Sequence, residues 1–332
     1  MQFEPIKTIS AESSLNELAA WYYAVIAPLT LKEHTIFNNR KLLNSYVLPY
    51  IGEMKACEVT ALILDNLFSS LRTEGALTEG RMLAPSTIRQ IRMALSAIFT
   101  TAVKKEILEK NPVTASTAIR TNNRERYFLD ESACRKVIRM CDTLPNEQTG
   151  RAIKILLLTG LRRGELIGLY WQDIDFEHAE LRVRRTLYRI GRRDVLGSPK
   201  TLSSARTVAL NDVALRLFSD QKETVRQLRE AAGPRWIETD AVFTGHMGGF
   251  MSGDYLNNCF RKMMKDAGMP GMHIHDLRHA NASILINEGV PMKIVSEHLG
   301  HTSSKVTEEF YTHLFADSKR ITASVMDKVL YD

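Results

Sequence analysis

Apolar residues recur every three or four positions through the first hundred residues of this chain. That is the period of a helix with one buried face. SLNELAAWYY (14–23) and HTIFNNRKLLNSYVLPYIG (34–52) both carry it, with Pro49 and Gly52 read as the end of the second helix. After Pro85 the pattern is clearest: Ile88, Ile91, Leu95, Ile98 and Ala102 form a single stripe, and Arg89, Arg92, Lys104 and Lys105 lie off it. Residues 1–110 are therefore predicted to be a helical domain. In NPVTASTAIRTNNRER (111–126) the period is lost and Asn111-Pro112 stops the preceding helix, so this stretch is read as an interdomain linker.

A second domain is predicted over 127–332. YFLDESACRKVIRMC (127–141) starts a helix with Asp130 or Ser132 as its cap. GRAIKILLLTG (150–160) reads as a buried helix ending at Gly160, and GELIGL (164–169) as a shorter one. Strict alternation in WQDIDFEHAELRVRRTLYRI (171–190) predicts strands joined by a turn near Glu177–Ala179, and GSPKTLSSARTVAL (197–210) adds another strand or hairpin edge. Helices are expected around 211–231 and 253–267, and from 275 to the end with breaks at Gly289-Val290-Pro291 and Gly300. The expected fold is mainly α with a small antiparallel β-sheet.

Composition narrows the class. A chain of 332 residues can build two cores, and 44% hydrophobic with 25% charged residues is ordinary for a globular protein. No apolar run approaches the ~18–20 residues of a membrane span, and MQFEPIKTIS carries no signal-peptide pattern. Cys57, Cys134, Cys141 and Cys259 form no C-x-x-C pair, so the spacing argues against a zinc site, and with no other metal-ligand set or nucleotide loop in the sequence no cofactor is expected. A cytoplasmic protein with free thiols follows, nucleoid-associated if its partner is DNA. The net charge of +6 is modest, but its placement is not uniform: Arg182–Arg206 holds eight Lys/Arg and one acid, Asp194. That run reads either as a solvated hairpin face or as a contact to a polyanion backbone. Arg184, Arg185, Arg192 and Arg193 here, with Arg89 and Arg92 on the helix after Pro85, are the candidate DNA contacts.

Five short segments carry the chemistry: Arg162 in TGLRRGEL, Lys200 in SPKT, His275 and Arg278 in HDLRH, His301 in LGHT and Tyr311 in FYTH. A guanidinium forks onto two phosphate oxygens. Arg162 opens a short helix where unpaired N–H groups favour an anion, while Glu165 is a plausible structural partner for it. His275 and Arg278 share a helix face, as a proton-transfer group beside a second clamp. Lys200, in a turn of the basic hairpin, can reach a leaving oxygen. Tyr311 lies at the edge of a Val306, Phe310, Leu314 stripe. It reads as a packed tyrosine or, with cationic neighbours to activate its phenol, as a nucleophile.

Taken in order, these segments resemble the tyrosine recombinases, the phage- and transposon-type integrases, over essentially all of 10–332. TGLRRGEL is similar to the family's first arginine box, HDLRHA to its H-x-x-R box, LGHTSSKVTEEFYTH to its histidine-to-tyrosine segment and SPKT to the lysine of its β-hairpin. The resemblance implies a catalytic domain of the DNA breaking-rejoining type, with Tyr311 as nucleophile and Arg162 and Arg278 as phosphate clamps. It makes His275 the proton acceptor, Lys200 the acid for the leaving 5′ oxygen and His301 a further phosphate donor. It implies no metal or ATP, and a core-binding domain in 1–110 that closes over double-stranded DNA at core-type sites. It further implies a homotetramer that passes through a Holliday junction, accessory directionality or host DNA-bending proteins, and a tail helix within 316–332 that either docks on a neighbouring subunit, as family tails do, or packs on its own domain. An integrase of a mobile element is the expected role. A Xer-type recombinase resolving chromosome dimers and a regulator of the same fold without catalysis are the alternatives, and a type IB topoisomerase shares the chemistry without needing partner subunits.

Overall fold

A computed structural model describes residues 8–75, 82–120, 129–197 and 205–300. The chain divides into two compact units, 1–125 and 126–332. Among the described residues both are mainly helical, and the antiparallel strands lie in the second unit, as a three-stranded sheet and a two-stranded hairpin.

The first unit is helical. Ser14 caps α1 (Leu15–Trp21) and exchanges bonds with Glu17. A π turn at Tyr22–Ile26 leads into α2 (Ala27–Thr30). Next come α3 (Glu33–Tyr46), α4 (Leu48–Ile51), α5 (Ala61–Thr73), α6 (Pro85–Lys104) and α7 (Pro112–Ala115). The helix expected to run on to Pro49 breaks earlier, at Val47 (φ −127°). Proline has no N–H, and its ring crowds the carbonyl four residues back, so Pro49 is accommodated in the first turn of a new helix. The α6 stripe packs as its spacing dictates: Ile88, Ile91, Leu95, Ile98 and Ala102 are wholly buried. The stretch read as linker is also partly helix. Asn111 caps α7 through Val113 N–H, and Val113 is buried in the unit's core. Four residues are too few to display a period.

The second unit is built around one helix. Asp130 caps α8 (Glu131–Cys141), and Asn146 caps α9 (Glu147–Thr159). Apolar side chains of α9 are buried on several faces, among them Ala152, Ile153, Ile155, Leu156 and Leu157. α10 (Arg163–Ile167) follows. A three-stranded sheet has the order β1 (Ile174–Asp175), β2 (Glu180–Val183), β5. Between the last two lies a separate hairpin of β3 (Thr186–Ile190) and β4 (Arg193–Gly197), closed at Gly191-Arg192, with Gly191 supplying the positive φ of 59°. β5 (Arg206–Ala209) pairs with β2 in the register Leu181 to Val208. The helices α11 (Asp212–Ala232), α12 (Gly253–Asp266), α13 (Asp276–Asn287) and α14 (Met292–Leu299) are the last elements among the described residues. Two glycines seat the hairpin on α10. A Cβ at Gly164 would lie 2.8 Å from Leu187 O, and one at Gly168 3.0 Å from Leu187 N.

Candidate active site

Two turns build the site. The first ends α9, where Gly160 adopts the left-handed conformation (φ 62°) that favours glycine. A Cβ there would also meet Leu299 Cδ2 at 2.6 Å and Asn281 Oδ1 at 2.8 Å, so the position is closed to larger residues twice over. The chain then runs extended through Arg162 and enters α10. The second turn ends α14 at Gly300, again left-handed (φ 65°).

Arg278 joins the two turns. It is 2% exposed, donates from Nη1 to Gly160 O at 2.6 Å, and from Nη2 to Leu299 O. Arg162 reaches the same place from the other side, with Nη2 3.4 Å from Gly300 O. The side chain of Arg162 is 37% exposed, so it presents positive charge to solvent at the mouth of the site. Glu165 holds it from beneath, accepting from Arg162 N–H at 2.9 Å and from Arg162 Nη1 at 2.7 Å. The N–H of Arg162, one of the groups expected to be available to an anion at the start of α10, is thus taken, because a carboxylate three residues on can reach back to it.

His275 stands immediately before α13, one turn from Arg278. The His279 ring packs edge-on against it, centroids 5.0 Å apart. His275 is exposed on one side; loss of water on its inner side lowers its pKa to about 4, helped by the charges of His279, Arg278 and Arg162 and opposed by Asp276. The imidazole is therefore neutral at physiological pH and able to accept a proton.

Arg162, His275 and Arg278 are thus brought together, while Lys200, His301 and Tyr311 lie outside the described residues. Sequence reasoning missed two groups. Arg206 is buried beneath Glu165, donating to Glu165 Oε2 at 3.0 Å and to His298 O at 2.7 Å. Burial pushes the Glu165 carboxyl up, but the Arg206 charge and hydrogen bond, with those of Arg162, hold it below its ordinary value. His298 loses water in the fold and lies near Arg206 and Arg278, which lowers its pKa to about 4. Arg206 had a signal in the alternation of β5, which sets it on the inward face with Val208. His298 had none.

The arginines expected to meet DNA divide in two. Arg89 on α6, Arg184 after β2, and Arg192 and Arg193 at the hairpin tip are exposed. Arg92 donates to Val113 O at 2.7 Å and to Ser116 O and Oγ at 3.1 and 3.2 Å, which ties α6 to α7. Arg185 pairs with buried Asp173 at 2.5 Å and lies over the Tyr170 ring at 4.1 Å. Among the described residues no group of His, Cys, Asp and Glu is arranged to hold a metal ion, and no helix is long and apolar enough to cross a membrane.

Comparison with known proteins gives the family and the fold. The model of the phage integrase family matches residues 127–317. The ICEBs1 integrase of Bacillus subtilis is 26% identical over 310 residues, covering 93% of this chain and 81% of its own. A protein described as tyrosine recombinase XerC-like, from Caldanaerobacter subterraneus subsp. tengcongensis, is 28% identical over 281 residues, covering 80% of this chain and 70% of its own. Among solved structures, the Tn1549 transposon integrase in complex with circular intermediate DNA shares the fold with a TM-score of 0.78. It is 22% identical, covering 95% of this chain and 100% of that one. A lambda integrase dimer bound to a COC′ core site follows at 0.62, with 17% identity over 90% of this chain and 77% of that one. The chain belongs to the phage integrase family of tyrosine recombinases, enzymes that break and rejoin DNA.

Proposed function

We propose that this protein integrates and excises a mobile element by cutting and rejoining DNA at specific sites through a 3′-phosphotyrosyl link on Tyr311. One observation carries the reading: two arginines converge on the Gly160 and Gly300 turns beside a histidine held neutral. In the proposed reaction the Tyr311 phenol oxygen attacks the scissile phosphorus as its proton passes to His275. The P–O5′ bond breaks, and Lys200 gives a proton to the departing oxygen. Arg162 and Arg278, with His301, stabilise charge on the non-bridging oxygens, the contribution that usually dominates such reactions. The phosphotyrosyl bond keeps the energy of the broken diester, so a 5′ hydroxyl from another strand reverses the step and exchanges strands without ATP.

By analogy with the integrases solved on DNA, among them a lambda integrase tetramer bound to a Holliday junction, the first unit takes part in gripping the duplex and four copies act together on paired sites. The XerC-like relative favours a second reading, resolution of chromosome dimers. Sequencing the junctions of recombined DNA separates the two, since an element boundary supports the first and a fixed chromosomal site the second. A nicked duplex carrying the mapped junction then traps the covalent complex. Wild-type protein should accumulate the adduct and Tyr311→Phe should bind the duplex without forming it. Adduct formed by Tyr311→Phe at the wild-type rate would remove Tyr311 from the mechanism.

A further inference from the structure

Strand β5 begins with an arginine on its inward face, and that arginine is a junction. Arg206 has 6% of its side chain exposed and bonds Glu165 through Nη2 (3.0 Å) and His298 O through Nε (2.7 Å). Glu165, 3% exposed, also takes the N–H and Nη1 of Arg162. One buried guanidinium therefore links β5, the first turn of α10 and the last turn of α14. β5 follows the segment that contains Lys200, and α14 ends two residues before His301.

The charges give this junction a purpose beyond packing. Arg162 and Glu165 alone would form a neutral pair, and a guanidinium committed to a buried carboxylate attracts a phosphate poorly. With Arg206 the trio carries one net positive charge. Arg206 shows almost no surface, so that charge faces solvent on Arg162, whose side chain is 37% exposed. We infer that Arg206 is a positioning residue for DNA cleavage: it neutralises Glu165 so that Arg162 keeps its charge for the scissile phosphate, and it holds β5 and the end of α14 in register with that arginine. This rests on the proposed function.

The test is a double-mutant cycle in the full-length protein, reading single-turnover cleavage of the nicked junction duplex. Arg206→Gln should slow cleavage by about 100-fold, the scale of losing one stabilising donor. In a Glu165→Gln background, where no buried acid competes for Arg162, the same substitution should cost far less. Arg206→Lys, which keeps the charge, should fall between wild type and Arg206→Gln. A second substrate sharpens the result. With a methylphosphonate at the scissile position one charged oxygen becomes a methyl group, and the gap between wild type and Arg206→Gln should largely close. Wild-type cleavage by Arg206→Gln would overturn the inference. So would a loss of equal size in both backgrounds and on both substrates, the mark of a merely structural role. If Arg206→Gln does not fold, Glu165→Gln against the double variant carries the comparison, and a second large loss there overturns the inference. Failure of the wild-type protein to form adduct would instead count against the proposed function.

Discussion

The two units bury different things. Of the twelve polar or charged residues buried among the described residues, one, Ser116, lies in the first unit and eleven in the second. The first unit is an apolar stripe wrapped by helices, held by burial that any well-packed core supplies. The second contains a connected set of charges and amides: Arg278 on the Gly160 and Leu299 carbonyls, Glu165 between two arginines, and Asn281 donating to Leu157 O and Leu158 O. Unmade buried polar bonds are costly, so such a network specifies one arrangement of its members far more strictly than apolar packing does. The difference separates a unit that has to be stable from one that has to be stable in a single geometry.

The comparison breaks or holds most clearly on a pair of substitutions. Arg278→Met should lower the rate of phosphotyrosyl formation by about 100- to 1000-fold, because it removes a charge that the proposed reaction uses on the phosphate and leaves two buried carbonyls without their donor. Leu95→Ala, at a wholly buried position of α6, should cost about 3 kcal/mol of stability through the cavity it leaves. At saturating DNA its folded fraction should cleave at the wild-type rate. Denaturant unfolding and single-turnover kinetics on both proteins decide the matter. A Leu95→Ala protein as catalytically impaired as Arg278→Met would dissolve the distinction.

A smaller effect follows from pH. The folded state holds His298 at a pKa of about 4, below the ordinary value of 6.5. The unfolded chain therefore binds the proton first, and stability falls as pH drops from 6.5 towards 4. The loss should be on the order of 1–3 kcal/mol for His298, with a lesser share from the more exposed His275. Glu165, held below its ordinary value, acts in the same direction but at lower pH. Unfolding free energies measured between pH 7 and 4.5 should show the decline, and His298→Gln should flatten it. An unchanged slope in that variant would place the acid sensitivity elsewhere.

The sequence disclosed whatever depends on near neighbours. The α6 stripe, the buried α9 and the strand alternation around 171–190 are local patterns with a period of 3.6 or 2. The glycines at 160 and 300 announced the two turns, and the order of the arginine and histidine boxes announced the chemistry. Hidden were features made by distance along the chain or by brevity. Arg206 finds Glu165 across 41 residues and His298 across 92, and no window of sequence shows a partner that far away. α7 is too short to carry a period. An arginine reads the same in sequence whether its guanidinium faces water, backbone carbonyls or a buried carboxylate, so Arg92 and Arg185 could not be told from Arg89 and Arg192.

That last ambiguity yields the finest test of the two regions. Arg192 and Arg193 are exposed at the tip of the β3–β4 hairpin, and each phosphate contact they make should appear in the salt dependence of binding. Replacing one with Gln should reduce the slope of log affinity against log salt by about 1. Arg92 belongs to the other kind. Its guanidinium is engaged by Val113 O and Ser116, so Arg92→Gln should leave the slope nearly unchanged and lower stability by roughly 1–3 kcal/mol, the cost of unpaired buried carbonyls. Titrations of the junction duplex at several salt concentrations, run beside denaturant unfolding, give both quantities for each protein. If Arg92→Gln altered the slope and left stability intact, its guanidinium would have to leave Val113 and Ser116 for DNA, and the first unit's inner tie would itself be a phosphate contact.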